Sequence, residues 1–137
     1  ADDLRRFDEA SVAGAAEVVI WGTGEARREF LFVDDMAAAC AHVLRMDREA
    51  YEAATRPALS HINIGTGEDL TIRELAERVG RVVGYRGRIV FDTTKPDGAP
   101  RKLLDVSRLR ALDWAPRVGL DEGLALAYRD YLSSTRR

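Results

Sequence analysis

The residues best suited to bind a ligand surround a turn in the second half of the chain. Lys95, Arg101 and Lys102 flank the turn Pro96-Asp97-Gly98. A turn ringed by fixed positive charge suits an anionic ligand, because arginine offers a planar fork to phosphate and lysine a compact charge. Asp97 adds an acceptor that a bare phosphate site does not need, but that a sugar hydroxyl or a base edge could use. The alternative is a solvated loop between two elements.

A second cluster lies upstream, at the end of a predicted apolar strand, Val18 to Trp21. The Gly22-Thr23-Gly24 turn follows this strand, and the paired arginines Arg27 and Arg28 come next. An aromatic ring, a mobile turn and two guanidiniums could hold the face of a base or sugar and a phosphate. In the alternative interpretation, Trp21 belongs to the core and the arginines to the surface.

Both clusters lie within stretches that resemble the C-terminal part of the GDP-L-fucose synthases, 3,5-epimerase/4-reductases of the extended short-chain dehydrogenase/reductase family. The resemblance rests on WGTGEARREFLFVDDMAAAC and on KPDGAPRKLLD, and it runs from LRRFDEA to LDEGLALAYRDYL. It implies an α/β fold, namely the edge of a Rossmann-type nucleotide-binding sheet and a small mixed substrate lobe.

The resemblance also implies a reaction and a set of binding residues. The implied enzyme epimerises carbons 3 and 5 of GDP-4-keto-6-deoxy-D-mannose and reduces the 4-keto group with NADPH, giving GDP-L-fucose. Binding energy from the GDP part would hold the sugar in place during both steps. By position, four residues resemble the family's substrate-binding residues: Arg6, Trp21, Arg28 and Asp97. Local charge adds Lys95, Arg101 and Lys102.

Members of this family are longer and carry a glycine-rich dinucleotide turn and a Ser–Tyr–Lys catalytic set, which this sequence does not match. We therefore expect a fragment, inactive alone, with the catalytic residues and the NADPH site in an absent part. The resemblance further implies a cytoplasmic enzyme that forms a homodimer through that part. Two alternatives remain: a non-catalytic module that binds nucleotide sugars, and another sugar-nucleotide epimerase or dehydratase.

Composition narrows the class of protein. A formal net charge of −2 argues against a general nucleic-acid binder, which needs an excess of lysine and arginine. No apolar run is long enough to span a bilayer, so we expect no membrane partner. A single cysteine cannot form an internal disulfide. No His, Cys and Asp cluster has the spacing of metal ligands, so we expect no metal.

Alternating helices and strands position these clusters. Periodicity and turn signals predict helices over residues 4–16 and 33–44, after a capping box at Thr71 and Glu74, and from about residue 120. Strands are predicted over residues 18–21, 30–33, 61–64 and 88–92. We assign residues 1–32 and 67–137 to the substrate lobe. Residues 33–66 would return a helix and a strand to the nucleotide-binding sheet.

Several single positions carry further expectations. Asp34 and Asp35 should cap the helix that follows them. One face of that helix has the spacing of core residues: Met36, Cys40, Val43 and Leu44. We expect Cys40 to pack rather than to react. Without the absent part of the protein, the apolar surface of this helix should lose its partner. His42 is predicted on the helix surface and His61 at a strand start. The Gly65-Thr66-Gly67 turn is assigned to backbone geometry and helix capping, because Glu68 and Asp69 beside it would repel a pyrophosphate.

Overall fold

The computed structural model describes residues 2–135, which form helices and strands in alternation. The helices are α1 (Asp2–Val12), α2 (Val33–Arg45), α3 (Arg48–Ala54), α4 (Ile72–Val83), α5 (Ser107–Ala111) and α6 (Leu120–Thr135). The strands are β1 (Glu17–Trp21), β2 (Arg27–Arg28), β3 (Leu70–Thr71), β4 (Arg88–Asp92) and β5 (Arg101–Lys102). The chain divides into two compact units, residues 1–28, 70–102 and 121–137 in the first and residues 29–69 and 103–120 in the second.

The first unit is built on the parallel pair β1 and β4. Glu17 is paired with Arg88, and the register continues to Trp21 opposite Asp92. Val18 and Ile20 of β1 point into the core, whereas Val19 and Trp21 are exposed. This alternation follows from the two-residue period of a strand. Because parallel strands end at the same edge, the turns after Trp21 and after Asp92 leave the sheet side by side.

Helices α1 and α4 supply the rest of this core. Phe7 of α1 is fully buried and meets the Tyr85 ring edge-on, with the ring centroids 5.5 Å apart. A Cβ at Gly80 would lie 3.4 Å from the Phe7 ring, so glycine lets α1 approach α4 closely. The predicted capping box is confirmed, since Thr71 and Glu74 exchange hydrogen bonds at the start of α4.

A second, short sheet belongs to the same unit. Strand β2 lies at its centre, antiparallel to β3 and parallel to β5. The pairing places Arg27 opposite Arg101 and Arg28 opposite Lys102. This sheet therefore places two neighbouring arginines opposite two cations that lie 74 residues further along the chain.

The second unit consists of α2, α3, α5 and the segments that join them. Asp35 is buried and accepts hydrogen bonds from the backbone N–H groups of Arg117 and Val118, at 3.0 and 2.9 Å. The prediction that Asp34 and Asp35 cap α2 is wrong, because the N-cap residue is Phe32, which makes no side-chain cap, and both aspartates lie in the first turn. His42 is half-buried, 2.8 Å from the Leu112 carbonyl oxygen, which corrects its predicted place on the surface.

Two predicted strands do not form. Residues 30–32 have no regular structure and Val33 already begins α2, so the strand near this position is β2 instead. Residues 61–64 have no strand partner among residues 2–135, although Ile62 and Ile64 are half-buried. A local apolar run cannot reveal whether a neighbouring strand is available, and pairing is what defines a strand.

The predicted core face of α2 is exposed. Met36 is 48% exposed and Leu44 85%, and Cys40 is an exposed free thiol. The expectation that Cys40 packs inside is therefore wrong, whereas an unpartnered apolar surface on this helix is what we predicted. None of the helices described within residues 2–135 is both long and apolar enough to cross a membrane.

Candidate ligand-binding site

Trp21, the last residue of β1, is 69% exposed, so the interpretation of Trp21 as a core residue is wrong. The Lys95 Nζ lies 5.6 Å from the centroid of the Trp21 ring, which is within the range of a cation–π contact. Its position follows from strand geometry, because Trp21 faces away from the buried side chains of Val18 and Ile20. The ring presents a large apolar surface to which a planar ligand could stack.

Asp97 joins the turn after β4 to the turn after β1. Its Oδ1 accepts a hydrogen bond from the Thr23 backbone N–H at 2.7 Å, and its Oδ2 accepts one from the Thr23 hydroxyl at 2.8 Å. These hydrogen bonds hold the pKa of the Asp97 carboxyl below its ordinary value, the Thr23 hydroxyl first and the Thr23 backbone N–H second. Both carboxylate oxygens are therefore engaged with the protein.

Two glycines make this close approach possible. Gly22 has φ +88°, and a Cβ there would overlap the Asp97 carboxylate. Gly24 has φ +83°, and a Cβ there would strike the ring of Phe91. Glycine adopts positive φ without the steric cost that a side chain adds, and at both positions a side chain would also find no space.

Arg73 supports the Gly22–Gly24 turn from its other side. Its Nη2 donates a hydrogen bond to the Thr23 carbonyl oxygen at 2.7 Å, and its Nε lies 3.5 Å from a Glu25 carboxylate oxygen. The Arg73 guanidinium carbon also lies 3.9 Å from the centroid of the Phe91 ring. Thr23 is thus held through its N–H, its hydroxyl and its carbonyl oxygen.

The four cations of β2 and β5 face each other in like-charged pairs. Arg27 is opposite Arg101, and Arg28 is opposite Lys102 on the next register position. Like charges directly opposite each other destabilise a sheet. Because successive residues of a strand point to opposite faces, the two pairs lie on different faces of the sheet. The Arg28–Lys102 pair alone could attract one anionic group such as a phosphate. Glu74 stands near Arg27, and its pKa is lowered, mainly by hydrogen bonds from Thr71 and to a smaller degree by the Arg27 charge.

Arg28 connects the two parts of the site. Its Nη1 donates to the Arg27 carbonyl oxygen at 2.6 Å, and its Nη2 would lie 3.8 Å from a Cβ at Gly98. The loop over residues 95–98 therefore contacts Trp21 through Lys95 and Thr23 through Asp97, and Gly98 lies near the Arg28 guanidinium. Five of the predicted residues, Trp21, Arg28, Lys95, Asp97 and Lys102, are brought together by this loop and the β2–β5 pairing.

Arg6 is held by α1 and β1 rather than by this loop. The Arg6 Nη2 donates to the Val19 carbonyl oxygen at 2.6 Å, and its Nη1 lies 3.6 Å from an Asp3 carboxylate oxygen. Within residues 2–135, no hydrogen bond or ion pair links Arg6 to the 95–98 loop. Arg101 is exposed on β5 and is paired with Arg27 rather than with Arg28.

The Gly65-Thr66-Gly67 turn is filled by a protein carboxylate. Glu29 Oε1 accepts a hydrogen bond from the Gly67 N–H at 2.6 Å and lies 3.2 Å from the Thr66 hydroxyl oxygen. Its Oε2 accepts from the Leu104 N–H at 3.1 Å. Gly67 has φ +75°, which agrees with the predicted role in backbone geometry. The predicted role in helix capping is wrong, because α4 is capped by Thr71. Among residues 2–135 no group of three or more His, Cys, Asp or Glu side chains could hold a metal ion.

Sequence reasoning missed Thr23, Arg73 and Phe91. Thr23 lies 74 residues from Asp97, and Arg73 lies 50 residues from Thr23. No local pattern signals contacts of this range. The one available clue was the pair of glycines on either side of Thr23, which indicates a turn of unusual conformation.

Comparison with known proteins supports the resemblance drawn from the sequence. A sequence model of the NAD dependent epimerase/dehydratase family matches residues 3–65. The chain is 55% identical over 134 residues to the GDP-L-fucose synthase of Escherichia coli, covering 98% of this chain and 42% of that protein. It is 53% identical to GDP-L-fucose synthase 1 of Arabidopsis thaliana, covering 96% of this chain and 38% of that protein.

A solved structure agrees with these sequence matches. A GDP-mannoheptose C4 reductase from Campylobacter jejuni, with NADP bound, superposes with a TM-score of 0.80 at 33% identity, covering 96% of this chain and 43% of that one. The α/β fold of Rossmann-type epimerases and reductases is therefore confirmed, and so is the resemblance to GDP-L-fucose synthases. The chain spans about two fifths of the length of these relatives.

Proposed function

We propose that this chain is the substrate-binding part of a GDP-L-fucose synthase. The whole enzyme would epimerise carbons 3 and 5 of GDP-4-keto-6-deoxy-D-mannose and reduce the 4-keto group with NADPH. The observation that carries this proposal is the identity of about one half, over nearly the whole chain, with proteins named GDP-L-fucose synthase. The grouping of an exposed tryptophan with paired cations fits the base and the diphosphate of such a substrate.

The role of this part is to bind and orient the substrate. Arg28 and Lys102, opposite each other on β2 and β5, would hold the diphosphate, because a guanidinium grips two oxygens and an ammonium adds charge. Trp21 offers an exposed ring for the base or the sugar. Arg6, Lys95 and Arg101 would raise the positive potential around these contacts.

We expect Asp97 both to hold Thr23 and to contact a neutral part of the ligand. Its two oxygens already accept hydrogen bonds from Thr23, and the carboxylate also interacts with the Gly24 N–H. A carboxylate has about four acceptor sites, so it can still accept from a sugar hydroxyl or a base N–H. Because the Asp97 charge would repel phosphate, the neutral part of the substrate should lie on its side of the site.

NADPH would bind in the part of the protein that this chain lacks, together with the catalytic residues. NADP in the related Campylobacter jejuni reductase supports the cofactor class. We further propose a cytoplasmic homodimer that acts as oxidoreductase and isomerase. Residues 1–32 and 67–137 would form the substrate lobe, and residues 33–66 would join the nucleotide-binding sheet, where the exposed face of α2 would be covered.

The test uses the intact protein that contains this chain. With NADPH and GDP-4-keto-6-deoxy-D-mannose, we expect NADPH oxidation and the appearance of GDP-L-fucose in the product analysis. The 137-residue piece, assayed in parallel, should oxidise no NADPH. Calorimetric titration should show GDP binding far more tightly than UDP. Reduction of the keto-sugar without epimerisation, or equal affinity for GDP and UDP, would contradict the proposal.

A further inference from the structure

Thr23 occupies the point where the two turns of the site meet. Its backbone N–H and hydroxyl both donate to Asp97, at 2.7 and 2.8 Å, and its carbonyl oxygen accepts from Arg73 at 2.7 Å. The hydroxyl also accepts a hydrogen bond from the Glu25 N–H at 3.1 Å. A residue with four such bonds in a short turn determines where that turn lies.

The turn that Thr23 holds carries the ligand-facing groups of the neighbouring loop. Lys95 lies over Trp21, and Gly98 lies beside the Arg28 guanidinium, on either side of Asp97 in sequence. Only two residues, Pro96 and Asp97, lie between Lys95 and Gly98, so a movement of Asp97 shifts both neighbours together. The Asp97 side chain ties this loop to the Gly22–Gly24 turn, mainly through the N–H and the hydroxyl of Thr23 and to a smaller degree through the Gly24 N–H.

We propose that Thr23 is a positioning residue of the ligand site, which acts through Asp97 to hold the 95–98 loop against the Gly22–Gly24 turn. We call this pair the Thr23–Asp97 latch. When the latch is closed, the Lys95 ammonium, the Trp21 ring and the Arg28 guanidinium keep the spacing described above. When it is open, the loop keeps its charges but no longer presents them together. The effect on ligand binding rests on the proposed function.

The most informative variant removes the Thr23 hydroxyl and keeps the size and branching of the side chain. Thr23→Val loses the donor to Asp97 Oδ2, whereas Thr23→Ser retains it. Thr94→Val is the matched control, because Thr94 lies in the same loop and its hydroxyl donates to Asp92 at 2.6 Å without reaching the other turn. Asp97→Asn weakens the latch from the opposite side and serves if Thr23→Val does not fold.

Two measurements on the intact protein separate the effect on the loop from the effect on ligand binding. Hydrogen exchange of the peptide over residues 93–99 should accelerate in Thr23→Val and Asp97→Asn, and remain native in Thr23→Ser and Thr94→Val. Calorimetric titration with GDP should show a loss of about tenfold in the first two variants and less than about twofold in the others. Steady-state assays should show that loss in KM, with kcat largely retained.

The outcomes distinguish the inference from the proposed function. Native exchange over residues 93–99 in Thr23→Val and Asp97→Asn would overturn the latch, whatever the ligand does. Faster exchange with an unchanged GDP affinity would show a latch that does not position ligand groups, and this also overturns the inference. If the native protein binds no GDP while exchange still responds to Thr23→Val, the latch stands and the proposed function fails.

Discussion

The Lys95 ammonium lies 5.6 Å from the centroid of the Trp21 ring, at the carboxyl end of a parallel strand pair. This contact leaves much of the ring exposed, so a planar ligand has room to stack beside it. It also joins a charge to an apolar face, which is the combination that a base followed by phosphate requires.

Replacing Trp21 by leucine should therefore weaken GDP binding by about 1–2 kcal/mol, because the ring face is lost while bulk and hydrophobicity are kept. Trp21→Phe should retain most of the affinity. Calorimetric titration with GDP provides the measurement, and Trp114→Leu, which changes a tryptophan of the second unit, is the control. Equal affinities for the native protein and Trp21→Leu would contradict a stacking role.

Arg28→Lys keeps the charge and removes the fork. It should weaken GDP binding by roughly 1–3 kcal/mol, because an ammonium cannot grip two phosphate oxygens in the same plane. The affinity for NADPH should stay nearly unchanged, since the cofactor is expected in another part of the protein. Separate titrations with GDP and with NADPH give the answer. Losses of equal size for both ligands would rule out the assignment of Arg28 to the diphosphate.

The paired cations of β2 and β5 predict a dependence on salt. Lys102→Gln should weaken GDP binding at low ionic strength by about 0.5–1 kcal/mol, and the difference from the native protein should shrink as salt is added. The matched control is Arg48→Gln, whose side chain is paired with Glu52 on α3 of the second unit. A difference that persists unchanged at high salt would argue for a packing effect rather than for charge.

The lowered pKa of Asp97 predicts how stability changes with pH. A carboxyl whose pKa is lower in the folded state stabilises the fold above its unfolded pKa, near 4, and this contribution is lost as pH falls through the folded pKa. The native protein should therefore be more stable than Asp97→Asn at neutral pH, and the two should converge under acid conditions. Free energies of unfolding measured across the acid range test this, and a constant difference at every pH would contradict it.

The capping box of α4 gives a prediction about stability alone. Thr71 accepts a hydrogen bond from the Glu74 N–H at 3.1 Å, and the Glu74 carboxylate accepts from the Thr71 N–H at 2.8 Å. Thr71→Ala should lower the free energy of unfolding by about 1 kcal/mol, whereas Thr71→Ser should change it little. Chemical denaturation measures both variants. A loss of the same size in Thr71→Ser would place the effect in the methyl group instead of the cap.

Local patterns predicted the elements that local forces determine. The strand over residues 88–92 and the cap at Thr71 were read from sequence and confirmed, because alternation and capping act over a few residues. The strands expected over 30–33 and 61–64 did not form, because a strand requires a partner that a single segment cannot specify. The interior role expected for Cys40 failed for a similar reason, since helical spacing identifies an apolar face but not what covers it.

The candidate site shows the same division. Residue types identified Trp21, Arg28 and Lys95 as candidates, and the fold places Lys95 beside Trp21. The engagement of Asp97 by Thr23 could not be predicted, because it depends on two turns that leave the same sheet edge far apart in sequence. Residue types indicate which side chains could bind a ligand. The residues that these side chains contact depend on how distant segments of the chain are brought together.

The parallel pairing of β1 with β4 also bears on how the site assembles during folding. The turns that carry Thr23 and Asp97 are 74 residues apart, so they meet only after a long loop has been closed and the pairing around it is complete. Contacts of this range are typically late events in folding. Weakening them should therefore leave the folding rate nearly unchanged and accelerate unfolding. A ligand that bridges the two turns would, by the same logic, slow unfolding and lengthen the lifetime of the native state.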